Sequence, residues 1–155
     1  MNNQAFYRPC VGIMLLNNLG KVFVAQRIDT RTEAWQMPQG GIEEGEDPKR
    51  AAMRELEEEI GTNKAALMAE SSDWLYYDLP IDLQQKLWNG QYKGQRQKWF
   101  LYRFLGDDRD INLLTEHPEF LDWRWANVSE LADLAIPFKR HVYENIIQEF
   151  HRFLF

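Results

Sequence analysis

The sequence predicts an α/β protein in which a mixed β-sheet is sandwiched between helices. Three observations carry this reading. Short runs rich in β-branched, aromatic and aliphatic residues recur along the chain, parted by turn compositions such as Asn17-Asn18-Leu19-Gly20 and Asn89-Gly90. Two longer stretches, 48–60 and 138–153, place apolar residues at helical spacing. One of these follows the early strands and the other closes the chain, a distribution that suits an α/β/α arrangement.

Taken in order, Val11 to Leu16 and Lys21 to Arg27 read as a hairpin, with Arg8 and Arg27 at its outer ends. Residues 28–34 are polar and read as a loop, and Trp35-Gln36-Met37-Pro38-Gln39 leads on from it. Asp47 followed by Pro48 reads as an N-cap with proline at the first helical position, and Gly61 as the left-handed residue that ends the helix. Ala52, Leu56 and Ile60 then share one helix face, while Glu55, Glu58 and Glu59 are expected to converge on the other side. Ala65–Ala69 and Trp74–Leu79 read as strands, and Ile81–Trp88 as a short helix or loop. Arg96–Phe104 and Leu121–Trp125 read as further strands. Ser129 is expected to cap a short helix from Glu130 to about Ala135, and Phe138 to about Phe153 to form one amphipathic helix.

With 155 residues and no internal repeat, low-complexity segment or long linker, residues 1–155 are expected to form one domain. No apolar run approaches the length of a membrane span, and the first residues lack the layout of a secretion signal. Cys10 is the single cysteine, so no intrachain disulfide forms; a cytoplasmic location and no membrane partner are expected. A net charge of −6 argues against a long nucleic-acid footprint and against DNA as a partner.

Four glutamates within residues 55–59 repel one another on a helix, and Glu59 opposes the helix dipole. A hard divalent cation removes that repulsion, and a glycine-rich loop just before the helix lets carbonyls approach the same ion. The spacing Gly40-x5-Glu46-x7-Arg54-Glu55-Leu56-x-Glu58-Glu59-x-Gly61 fixes eight positions. Its chance occurrence is on the order of 10⁻⁷ per chain. The stretch resembles the Nudix box, the signature of hydrolases that cleave a nucleoside diphosphate linked to another group. Thr62 is the one departure, standing where the family usually has an aliphatic residue.

Other segments extend the resemblance over nearly the whole chain. They are Tyr7-Arg8-Pro9, Trp35-Gln36-Met37-Pro38-Gln39-Gly40-Gly41, Gly94-Gln95-Arg96-Gln97-Lys98-Trp99-Phe100, Pro118-Glu119-Phe120, Trp123-Arg124-Trp125 and Pro137-Phe138-Lys139-Arg140. In this order they resemble the branch containing bacterial RNA 5′-pyrophosphohydrolases and diadenosine polyphosphate hydrolases. That resemblance implies a Nudix-type α/β/α sandwich. It implies metal binding by Glu55, Glu58 and Glu59 with the Gly40 carbonyl and Glu119, and an orienting ion pair between Glu46 and Arg54. It places Arg8, Arg27, Phe138 and Lys139 at the substrate, and Mg²⁺ in the site, with Mn²⁺ or Zn²⁺ as alternatives.

The implied chemistry is in-line attack of water on one phosphorus of a pyrophosphate link, with Glu58 as first choice for the base and Glu55 as the alternative. The leading expectation is conversion of a 5′-triphosphate RNA end to a monophosphate, which promotes RNA decay, by a monomer or weak oligomer. A dinucleoside polyphosphate hydrolase is the second. An inactive nucleotide-binding module and a nucleoside triphosphate sanitising enzyme are weaker alternatives. The intact glutamates disfavour the former and the segments outside the box the latter. Some members of the branch carry a basic C-terminal tail, which is not found before Phe155.

Overall fold

The structure, a computed structural model, describes residues 6–29 and 33–154. Its strands are β1 (Tyr7–Leu16), β2 (Val22–Arg27), β3 (Gln39–Gly41), β4 (Ala65–Glu70), β5 (Leu75–Asp78), β6 (Gly94–Phe104) and β7 (Phe120–Ala126). They form one mixed sheet of order β4-β6-β1-β2-β7, with β3 added to β1 and β5 to β6. The central pair, β1 and β6, is parallel; the other pairings are antiparallel. The helices are α1 (Pro48–Ile60), α2 (Ile81–Lys86), α3 (Leu131–Leu134), α4 (Arg140–Glu149) and α5 (His151–Leu154).

The central position of β1 explains why its residues 10–16 are apolar or glycine throughout rather than alternating with polar ones. Val11, Ile13 and Leu15 pack with Phe23, Phe100 and Tyr102 against Ala52, Leu56 and Ile60 of α1. On the opposite face Met14, Val24, Trp99 and Leu101 pack against Val142, Tyr143, Ile146 and Phe150. Helices therefore cover both faces of the sheet, as the sequence predicts.

Several boundaries differ from expectation. β1 begins at Tyr7 rather than Val11, because its register with β6 continues from Tyr7↔Gly94. The stretch leading into the glutamate helix ends in strand β3, which pairs Val11 with Gly40. Ile81–Trp88 resolves into α2 followed by a kink at Trp88 and Asn89, whose φ angles are +50° and +56°. Asn127, not Ser129, opens the turn before α3, since its N–H donates to the Glu130 carboxylate at 2.9 Å. The closing segment is a single turn Pro137–Lys139, then α4 and α5 separated at Phe150, rather than one helix. Residues 28 and 29 form a turn, while residues 30–32 of the expected loop lie outside the described residues.

Candidate active site

Helix α1 delivers the acidic side chains as a consequence of what its apolar side buries. Asp47 takes the extended N-cap conformation before Pro48, and Gly61 closes the helix at φ +77°, its N–H donating to the Glu57 carbonyl. Thr62 is buried, and its hydroxyl accepts the Lys64 N–H at 3.1 Å, so the position serves packing without an unpaired polar atom. With Leu56 and Ile60 fully buried, Glu55 and Glu59 are carried to the margin of the core, at 8% and 3% exposure.

Arg54 organises the carboxylates around it. Its guanidinium binds both oxygens of Glu46 at 2.8 Å, donates to the Gly41 carbonyl at 2.9 Å, and reaches Glu55 at 2.9 Å and Glu58 at 3.2 Å. This forked contact holds the Glu46 carboxyl down to about 2, against the opposing effect of burial. Glu55 behaves oppositely. Burial pushes its carboxyl up to about 7 despite Arg54, with the charges of Glu58 and Glu119 adding to the rise.

Glu59 is the most constrained group of the site. Burial raises its carboxyl well above the ordinary range, the nearby Glu119 carboxyl raises it further, and neither of its oxygens receives a hydrogen bond from the protein. Glu119 arrives from the other end of the chain because β2 pairs with β7 and the Ile28 N–H donates to the Glu119 carbonyl at 2.9 Å. Arg27, at the end of β2, lies close enough to oppose both carboxyls electrostatically, and it is clamped by Asp29 through two hydrogen bonds of 2.7 Å.

Of the expected ligands, Glu55, Glu59 and Glu119 are therefore brought together from two distant segments. Glu58 instead turns towards Arg54, and its side chain is 58% exposed. Among the described residues no three acidic, histidine or cysteine side chains form a closed ligand set. The donor chemistry nonetheless fits a hard cation. It is all carboxylate, it includes two buried oxygens without a donor, and strand β3 approaches so closely that a Cβ on Gly40 would stand 2.0 Å from the Glu55 carboxyl carbon.

Beside this acidic corner opens a cavity of about 520 Å³. Arg8, Arg27, Phe138 and Lys139, the expected substrate residues, all line it together with Glu55 and Glu119. The Arg8 guanidinium lies 5.2 Å from the centre of the Trp88 ring. Phe138 meets Tyr77 at 5.8 Å between ring centres while also packing on the core. Lys139 is 8% exposed, its Nζ 5.7 Å from the centre of the Tyr77 ring, and burial with repulsion from Arg27 brings its amine down to about 8. Burial of that amine weighs against the fold. Lys139→Met is expected to raise Tm while raising KM for a phosphorylated substrate about tenfold, measured by thermal melting and steady-state kinetics.

Gln39, Tyr77, Trp88, Gln95 and Tyr143 also line the cavity, and sequence reasoning did not single them out. Gln39 and Gln95 lie within segments of the family resemblance, which was the available signal. Trp88 carried none, because a left-handed backbone at a tryptophan has no sequence signature.

Comparison with known proteins places the chain in a family and matches its fold. The NUDIX domain family matches residues 6–146. The chain is 58% identical over 150 residues to the RNA pyrophosphohydrolase of Roseobacter denitrificans, covering 96% of this chain and 94% of that one. It is 60% identical over 143 residues to the RNA pyrophosphohydrolase of Rhodospirillum rubrum, covering 92% and 86%. Among solved structures, an E. coli dihydroneopterin triphosphate pyrophosphohydrolase superposes with a TM-score of 0.69 at 21% identity, covering 91% of this chain and 97% of its own. A C. elegans Ap4A hydrolase complex gives 0.69 at 19% identity, covering 95% and 97%. With the box glutamates, β-sheet and flanking helices in place, the chain belongs to the NUDIX domain family.

Proposed function

We propose that this chain is an RNA 5′-pyrophosphohydrolase, hydrolysing the triphosphate at an RNA 5′ end to leave a monophosphate. The observation that carries the reading is the junction of an acidic corner, Glu55 and Glu119, with a cavity lined by Arg8, Arg27, Lys139 and aromatic rings. A triphosphate chain spans the junction, between the cations and the acidic corner, and a base meets the rings. The identity to curated RNA pyrophosphohydrolases supports the same substrate.

Glu55, Glu59 and Glu119, with the Gly40 carbonyl, would hold Mg²⁺. When bound, the ion supplies charge neutralisation at the phosphates and polarisation of phosphorus. The protein's own part is positional and acid–base. Arg54 fixes Glu55 from one side while Gly40 lets β3 close on it from the other. Glu55 lines the cavity and Glu58 faces solvent, which supports Glu55 as the acceptor of the proton from the attacking water. The water oxygen bonds to one phosphorus as an anhydride P–O bond breaks, so that pyrophosphate and the RNA 5′-monophosphate separate. Arg8, Arg27 and Lys139 offer positive charge to the phosphates, and Phe138 and Trp88 offer ring faces to a base.

The test is hydrolysis of 5′-triphosphorylated RNA and of diadenosine tetraphosphate in parallel with Mg²⁺, comparing kcat/KM. A higher value on RNA is expected; a large preference for the dinucleotide would replace this reading. The cavity admits a base only when it is unstacked. A short RNA with a free 5′ overhang should therefore be cleaved at least ~10-fold faster than the same RNA made blunt by a complementary strand. With a net charge of −6 the chain should show a shallow salt dependence.

A further inference from the structure

The cavity wall formed by Gln39 and Gln95 has a hydrogen-bonding polarity set by residues behind it. The Trp99 indole N–H donates to a side-chain atom of Gln97 at 3.0 Å. Indole nitrogen is a donor only, so the Gln97 atom facing it must be the amide oxygen. The Gln97 NH₂ then points the other way, donating to Gln95 Oε1 at 2.9 Å and Gln39 Oε1 at 3.1 Å. With both of those oxygens engaged, the NH₂ groups of Gln39 and Gln95 are left for the cavity they line.

Gln97 and Trp99 are 1% and 0% exposed and do not line the cavity, so neither touches a bound molecule. The network is also bracketed on every side. Among the described residues the Gln97 side chain pairs with its two glutamine neighbours and Trp99, and the Trp99 ring packs edge-on against Tyr143 at 5.8 Å. Rotation of any one amide by half a turn would set two donors or two acceptors against each other, at the full cost of a buried unpaired group.

We propose that Gln97 is a positioning residue that makes this wall donate, so that it selects the oxygens of the substrate's phosphate chain. Phosphoryl oxygens are favoured over neutral acceptors because Arg8, Arg27 and Lys139 line the same cavity. The inference rests on the reading of the cavity as the site for a phosphorylated 5′ end. Replacing Gln97 by Glu keeps the shape but offers Trp99 and both neighbours only acceptors. Gln39 and Gln95 must then turn their NH₂ groups inward and present oxygens to the substrate. Replacing it by Met keeps the volume and releases the two amides to rotate.

The experiment measures kcat and KM on triphosphorylated RNA with Mg²⁺ for Gln97→Glu, Gln97→Met and Gln95→Glu. It also measures binding of inorganic tripolyphosphate in EDTA by the shifts of side-chain amide signals in nitrogen-15 spectra. Gln97→Glu and Gln95→Glu should raise KM about tenfold or more, and Gln97→Met several-fold, with kcat changed less than about twofold. In the wild type the Gln39 and Gln95 amide signals should move on addition of tripolyphosphate and not of guanosine. Should Gln97→Glu fail to fold, Gln95→Glu and Gln97→Met decide the matter. A Gln97→Met enzyme with wild-type KM overturns the proposal, as does a fall in kcat at unchanged KM. Amide signals that answer guanosine alone also overturn it. Absence of hydrolysis by the wild type with intact tripolyphosphate shifts would instead overturn the functional reading and leave the donating wall standing.

Discussion

Glu59→Gln is expected to lower hydrolysis by at least ~10²-fold while making the metal-free protein more stable. The two effects share one cause. Glu59 is 3% exposed, both of its oxygens lack donors, and Glu119 adds repulsion. Without a cation the fold must either bury that charge or bind a proton to remove it. Glutamine removes the charge at nearly constant volume, and the gain should be about 1–2 kcal/mol, or roughly 2–8 °C in Tm at neutral pH. With Mg²⁺ the order should reverse, since the ion stabilises the wild type through a ligand that the variant lacks.

The pH dependence of the metal-free protein follows from the same groups. The folded-state carboxyls of Glu59 and Glu55 are raised above 4.5, the latter to about 7. A raised carboxyl favours the fold below its unfolded value, and that contribution is lost as pH climbs towards the folded value. Glu46 has the opposite sign. Depressed from 4.5 to about 2, it favours the fold above 4.5 and loses its effect as pH falls towards 2. Thermal melts in EDTA should therefore peak near pH 4.5 and decline towards pH 7, while melts with saturating Mg²⁺ should not decline over that interval. A flat profile in EDTA would mean that Glu55 and Glu59 are not burdened by burial.

These features differ in how far the sequence reveals them. The box, its capped helix and the apolar face of α1 depend on spacing along a single helix, which the sequence states directly. The separation of Glu58 from Glu59 follows from helix rotation once Arg54 is recognised as an anchor. Glu59 lies ~40° from Glu55 around the axis, whereas Glu58 lies ~60° the other way and is the i+4 neighbour of Arg54. Glu119 was readable only through the family resemblance, because its approach depends on the pairing of β2 with β7. The donating glutamine wall was not readable at all. Its polarity passes through Trp99, Gln97, Gln95 and Gln39, side chains on two strands whose amides look alike until one donor-only neighbour orients them.

Gly40→Ala is expected to separate catalysis from folding more cleanly than any change to a carboxylate. A methyl group at residue 40 would stand 2.0 Å from the Glu55 carboxyl carbon and within 2.4 Å of both its oxygens. The group that must yield is the end of a flexible side chain, so β3 and α1 keep their positions while Glu55 swings out of the acidic corner. A displacement of that size should lower kcat/KM by about 10²-fold or more, with Tm within ~2 °C of wild type. Gly94→Ala supplies the contrast. There the added carbon would lie 1.9 Å from the Tyr77 carbonyl oxygen, in the backbone of the strand paired with β6, which has no free end to move. That substitution should destabilise the fold by about 3 kcal/mol or more. Purified variants compared by thermal melting and by turnover of triphosphorylated RNA decide the point. A Gly40→Ala enzyme of normal activity would mean that Glu55 can work from a second position and that the close approach of β3 serves packing alone.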